Sequence, residues 1–150
     1  MTAFVSIGRA WGPFQVELAE LKELKEHEEV DPEHLKELKE EINSDGVLKR
    51  PIVVDRNTNI ILDGEHRFNS LKELGCNRIP VIFVDYNLPE IKVKSWRKGK
   101  RLTKQIVTEA GLTQKKLPRR TSRHMVRIGN KLKHISFIQK RVDVPLSMLK

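Results

Sequence analysis

Asp63-Gly64-Glu65-His66-Arg67 sets a carboxylate, a glycine, a second carboxylate, an imidazole and a fixed cation in consecutive positions. An apolar run, Ile60-Ile61-Leu62, leads into it, and a helical pattern, Phe68-Asn69-Ser70-Leu71-Lys72-Glu73-Leu74, leaves it. A strand that ends at Asp-Gly and turns straight into a helix leaves free backbone N–H groups at the sheet edge. Those donors and the positive helix end suit a phosphate. Arg67 and His66 could bond phosphate oxygens. Asp63 could ligate Mg²⁺, which prefers carboxylate, phosphate and water oxygens, or could serve as a turn residue that caps the helix. The plainer alternative for the whole stretch is a helix start with charged residues in its first turn.

Other groups are less eloquent alone. Glu28 is one of four acids between Glu26 and Asp31, which by itself reads as a solvated charge run. Trp96 reads as a core aromatic covering a sheet. Lys115 to His124 reads as a basic loop, whose Lys115, Arg119 and Arg120 would act as general electrostatic attractors.

The elements that must position these groups follow from periodicity. Phe14, Val16 and Leu18 alternate with polar residues and predict a half-buried strand, and Ala19 to Lys25 a short helical turn. Residues before Trp11 show no period, and Gly12-Pro13 marks a break. Asp31-Pro32-Glu33 is a helix start, Leu35, Leu38 and Ile42 follow at helical spacing, and Asn43-Ser44-Asp45-Gly46 stops them. Pro51 to Asp55, a turn at 56–59, and Ile60-Ile61-Leu62 form a hairpin. After the motif helix, Gly75 takes the C-cap position and Ile79 to Val84 form another strand. Ile91, Val93 and Trp96 suggest one more strand, and Leu102 to Ala110 a helix ending at Gly111. Beyond residue 135 only short apolar pieces remain, with Pro145 opening a last turn. The order predicts a small mixed α/β (α+β) layer structure: a mixed sheet with flanking helices.

The chain has 150 residues and a net charge of +9, unevenly spread. Residues 1–91 carry 11 Lys+Arg against 18 Asp+Glu, a net −7; residues 92–150 carry 18 against 2, a net +16. A basic block can meet nucleic acid, a membrane surface or a small polyanion such as a nucleotide, or can pack against the acidic part. The length suits one domain with a small appendage. The single cysteine, Cys76, excludes an internal disulfide, and no stretch is long and apolar enough to span a membrane. A cytoplasmic location is the expectation, and the charge content hints at a heat-tolerant source.

With these features laid out, the chain resembles the ParB/sulfiredoxin-like superfamily. The matching features are the early strand, the helix after Asp31, the Gly46-to-Pro51 connection, the hairpin, and the 63–67 motif with its helix ending Leu-Gly. Within that superfamily it is most similar to the free serine kinases, which phosphorylate the hydroxyl of L-serine to O-phospho-L-serine with a nucleotide. The resemblance implies a nucleotide-binding core over residues 1–90 and a basic part, 91–150, that completes the substrate pocket. It implies that Glu28, in His27-Glu28, is the general base, with His27 orienting the loop. It implies that Gly64, Glu65, His66 and Arg67 hold phosphates and that Val47 touches adenine. Trp96 would wall the serine pocket; Thr121 and Ser122 would offer hydroxyls; Arg123 and His124 would meet the serine carboxylate or the transferred phosphate. The implied cofactors are Mg²⁺ and ATP or ADP as donor, and the implied partners are L-serine and an adenine nucleotide, with no membrane. The sequence departs from the kinases in having Glu65 where they have His, Ser122 where they have Thr, and a shorter stretch between Trp96 and Thr121.

The superfamily also supplies rivals. Sulfiredoxin chemistry needs a cysteine inside the motif, and Cys76 lies beyond the following helix. A ParB-like nucleotide switch or DNA-binding regulator, using the basic part on nucleic acid, is the second reading, although no clear helix-turn-helix follows residue 100.

Overall fold

A computed structural model describes residues 5–11, by their backbone alone, and residues 14–150; Gly12-Pro13 lies outside the described residues. In chain order the elements are β1 (Val5–Trp11), β2 (Phe14–Glu20), a 3-10 turn at Leu21–Glu23, α1 (Pro32–Asp45), β3 (Val47–Leu48), β4 (Ile52–Asp55), β5 (Ile61–Asp63) and α2 (Glu65–Glu73). There follow β6 (Arg78–Val84), β7 (Ile91–Ser95), α3 (Lys104–Thr113), β8 (Ser122–Ile128), β9 (Lys131–His134), a 3-10 turn at Ile135–Ile138, β10 (Val144–Pro145) and a last turn at Leu146–Met148.

Five strands form a mixed sheet in the order β1-β2-β6-β4-β5, with β4 and β6 parallel and the other pairs antiparallel. Alternation along these strands feeds two cores. Leu18, Ile52, Val54, Ile61, Ile79 and Val81 point to one face, where Ile42 of α1 and Phe68 and Leu71 of α2 cover them. Val16, Val53, Ile60, Leu62, Ile82 and Val84 point to the other. There they meet Ile91, Val126, Val107 of α3, Ile135 and Ile138. So the antiparallel sheet β7-β8-β9 and α3 form a third layer. Each fully buried aliphatic side chain contributes about 1.5–3 kcal/mol.

The expected helix start holds: the Asp31 side chain accepts from the Glu33 N–H, Pro32 occupies the first turn, and Gly46 ends the helix at φ +70°. Three expectations are corrected. Val5–Trp11, where the sequence shows no period, is a strand, β1, paired to β2 with irregular register. Ala19 stays in β2, and the helical turn shrinks to three residues. Ser122, Arg123 and His124 are not in a loop but open β8, where they pair with Ser95, Lys94 and Val93 of β7.

A further pairing ties the C-terminal segment to the middle of the chain. β10 adds antiparallel to β3, and the Leu149 carbonyl accepts from the Asn77 and Arg78 N–H groups.

Candidate active site

β5 delivers the chain to Gly64, which adopts φ +115° and starts α2. A Cβ there would sit 2.3 Å from Ile52 Cγ2, so the turn lies directly on β4 and only glycine fits. The helix start carries no side-chain cap. Asp63 therefore does not cap it. Instead Asp63 Oδ2 accepts from Arg67 Nη2 at 3.2 Å and from Gln139 Nε2 at 2.9 Å. Arg67 Nη1 also donates to the Pro51 carbonyl at 2.8 Å. Arg67 thus spends donors on bracing the turn, and burial lowers its pKa. Val47, Lys49, Arg50, Asp63, Arg67 and Gln139 line a cleft of about 320 Å³ beside it.

The side chains of Glu65 and His66 are turned from the phosphate role expected of them. Glu65 is buried, and its Oε2 accepts from the Glu28 N–H at 2.7 Å and the His27 N–H at 3.2 Å. Burial, with Glu28 nearby, pushes this carboxyl well above the usual range. His66 Nε2 accepts from the Asp31 N–H at 2.9 Å, which puts the ring proton on Nδ1. Its pKa is lowered by burial and by the neighbouring His34. What α2 offers an anion is therefore its uncapped backbone amides.

Glu65 fixes the segment that carries Glu28. On its other side, Leu117 clamps the same segment: its N–H donates to the His27 carbonyl at 2.8 Å and its carbonyl accepts from Glu29 N–H at 2.9 Å. The Glu28 side chain points at the start of β8. Oε1 accepts from Ser122 N–H at 2.7 Å, Ser122 Oγ–H at 2.8 Å and Thr121 N–H at 3.2 Å. Burial raises the Glu28 pKa, and these donors oppose the rise.

His27 is fully buried. Its Nδ1 lies 2.6 Å from the Ile61 carbonyl and its Nε2 2.8 Å from Ser122 Oγ. Burial pulls its pKa down to about 4. His124 stands edge-on to it at 5.7 Å, with Nε2 2.8 Å from the Tyr86 hydroxyl. His124 is buried and its pKa is held well below the ordinary value, by burial first and His27 second. It is therefore neutral and cannot be the cation expected for a substrate carboxylate. Arg123 can. Its guanidinium lies 4.7 Å from the ring centre of Trp96, and its Nε is buried without a hydrogen-bond partner among the described residues. Trp96 is 54 % exposed, so it is not a core aromatic but one wall of an open surface with Arg123. Thr121 Oγ1 donates to the Pro118 carbonyl.

Sequence reasoning missed Gln139 and Tyr86. Nothing local marks either one: Gln139 is polar yet 1 % exposed, and it matters only because it reaches Asp63.

A Mg²⁺ ion fits this donor set only through a nucleotide. No group of three or more His, Cys, Asp or Glu side chains that could cage a metal exists among the described residues. Mg²⁺ binds typically through one or two carboxylates plus phosphates and water. Asp63, at the turn and with Oδ1 outside the contacts above, can supply one such oxygen.

An uncapped helix start between β5 and β6, tied to the segment that carries Glu28, sits at the edge of a mixed α/β module. The chain belongs to the ParB N-terminal domain family, whose profile matches residues 14–94. It is 40% identical over 83 residues to an ATP-dependent L-serine kinase of Staphylothermus marinus, covering 53% of this chain and 33% of that protein. It is 36% identical over 85 residues to a ParB-like protein of Sulfolobus acidocaldarius, covering 57% and 42%. The matched segment thus spans well under half the length of these curated relatives. A solved free serine kinase in complex with AMP shares the fold at TM-score 0.77 and 16% identity, over 89% of this chain and 92% of that one.

Proposed function

We propose that this protein is a kinase of free L-serine that transfers a phosphoryl group from ATP or ADP to the serine hydroxyl. One observation carries the proposal. The Glu28 backbone N–H is bonded to the side chain of the first residue of α2, so the half-buried, hydrogen-bonded Glu28 is tied to the uncapped start of that helix. Phosphoryl transfer asks for that combination: an anion seat, an oriented acceptor and little covalent chemistry. A serine hydroxyl becomes a competent nucleophile when a positioned base takes its proton. Relatives named as L-serine kinases support the substrate.

In this reading the backbone of Gly64 to Arg67 holds the phosphates, and Asp63 and Arg67 fix the shape of that turn. Val47 lies in the adjoining cleft, where the base of the nucleotide is assigned. Arg123 meets the serine carboxylate beside Trp96, Thr121 and Ser122 border the same pocket, and Glu28 takes the hydroxyl proton. Mg²⁺, held by phosphates and Asp63, would neutralise charge on the transferred group.

The test is to incubate purified protein with L-serine, Mg²⁺ and either ATP or ADP and to assay O-phospho-L-serine. Product with at least one donor is expected, and none with either removes the assignment. A second reading, a ParB-like nucleotide switch or DNA-binding regulator, is favoured by one observation: residues 92–150 carry 18 cations and 2 acids. Its signature would be a gel shift that weakens steeply with salt, in a protein that does not turn serine over.

A further inference from the structure

Ser122 is bonded on both sides to titratable groups. Ser122 Oγ lies 2.8 Å from Glu28 Oε1 on one side and 2.8 Å from His27 Nε2 on the other. The His27 Nδ1 proton is committed, because the Ile61 carbonyl 2.6 Å away can only accept. Two hydrogen bonds therefore need two protons, and the hydroxyl owns one. The second must come from His27 Nε2 or from Glu28. Without it, two lone pairs face each other at hydrogen-bond distance.

From this geometry we infer that Ser122 is a positioning residue that joins Glu28 and His27 into a single proton-holding unit, one proton being shared across its hydroxyl. The inference rests on Glu28 being the base proposed above. When the shared proton sits on His27, Nε2–H donates to Oγ and Oγ–H donates to Oε1. Glu28 is then a carboxylate whose Oε2 can accept. At the transfer step the substrate O–H breaks and its proton passes to Oε2. The substrate oxygen forms its bond to phosphorus, and the bond to the nucleotide's bridging oxygen breaks, its electron pair leaving with the nucleotide. His27 holds its proton throughout and balances the carboxylate before transfer.

Burial acts against the charged form at both ends, raising Glu28 and lowering His27, so the pair rests with its shared proton on Glu28 and both groups neutral, and the proton moves to His27 to free the carboxylate. The groups that face the pair are the Glu65 carboxyl from α2, Glu26 and Asp63, the neutral His124 from β8 with Tyr86 behind it, and the Arg120 backbone N–H from the loop. The bridge also changes the role of Ser122. With its proton committed to Glu28 it has no donor left for the amino acid, only a second lone pair. A substrate contact would appear in KM; a bridge appears in kcat.

Two measurements decide. The first needs no turnover: ¹⁵N spectra of the His27 imidazole across pH 5.5–8.5 in the wild type, Ser122→Ala, Ser122→Thr and Glu28→Gln. The Nε2 signal of the wild type and of Ser122→Thr is expected to follow a titration that vanishes in Glu28→Gln and in Ser122→Ala, while Nδ1 stays protonated. A wild-type Nε2 signal indifferent to Glu28→Gln overturns the shared proton. The second applies once serine turnover is established. Ser122→Ala should lose at least about tenfold in kcat with KM for serine within about threefold, its acid limb should move to higher pH, and Ser122→Thr should restore the rate. A raised KM with unchanged kcat overturns the bridge and makes Ser122 a substrate contact. Failure of the wild type to phosphorylate serine would count against the kinase while leaving the first measurement to judge the bridge.

Discussion

All four residues of β4 are buried, whereas β9, in the three-stranded sheet, buries none. The two sheets also bring different things to the site. The five-stranded sheet supplies main chain: the Ile61 and Leu62 carbonyls that orient His27 and His124, and the turn at Gly64. The three-stranded sheet supplies side chains: Ser122, Arg123 and His124, all from the start of β8. Backbone groups sit where packing leaves no slack, which suits an anion seat that must not relax. The side chains that reach the site come from the less buried layer, although Ser122 and His124 are held there by Glu28, His27 and Tyr86.

The division can be broken experimentally, beginning with the largest effect. Glu28→Gln should lower serine phosphorylation by about 10³-fold while nucleotide affinity changes by less than about twofold, measured by kinetics and calorimetry. A fully active variant would mean that the base lies elsewhere. Gly64→Ala should cost about 3 kcal/mol in denaturant titration, from its positive φ and the collision with Ile52. Ile138→Ala should cost about 2–3 kcal/mol although Ile138 belongs to the basic part, because it is fully buried against the five-stranded sheet. A cost near zero would mean that the third layer is merely appended. The smallest effect concerns pH. His124 has a lowered pKa in the fold, so below about 6.5 the unfolded chain binds the extra proton. Its contribution to stability is complete above that pH and is lost as pH falls. The stability curve of His124→Gln should be flatter than that of the wild type over this acid range.

How much of this was written locally differs by region. The α1 boundaries are stated by Asp31-Pro32 and Gly46, and the turn at 63–67 by an apolar strand running into Asp-Gly. β1 was hidden because register shifts at Ser6/Gly8 and Arg9/Trp11 spoil its alternation. The start of β8 reads locally as loop because hydroxyl and basic residues mask a strand whose edge partner, β7, decides its conformation. In the site, residue types were legible but partners were not. Glu65 could be seen as a carboxylate at a helix start. That it would turn back to bind two amides 37 and 38 residues earlier has no local signature. His124 was assigned a charge that burial removes, which no spacing rule can foresee.

The pairing of β10 with β3 carries a last consequence. Val144 meets Leu48 across nearly a hundred intervening residues, and this short ribbon buttresses the segment that holds Val47 over the cleft. Closing so long a loop is entropically costly, and the reward comes only when Val144, Leu146 and Leu149 reach the core beside it. Assembly should therefore finish at this corner: a compact late species with both sheets formed but a gaping nucleotide side would be the final stop before the native fold. Trimming the chain after residue 140 should trap that species.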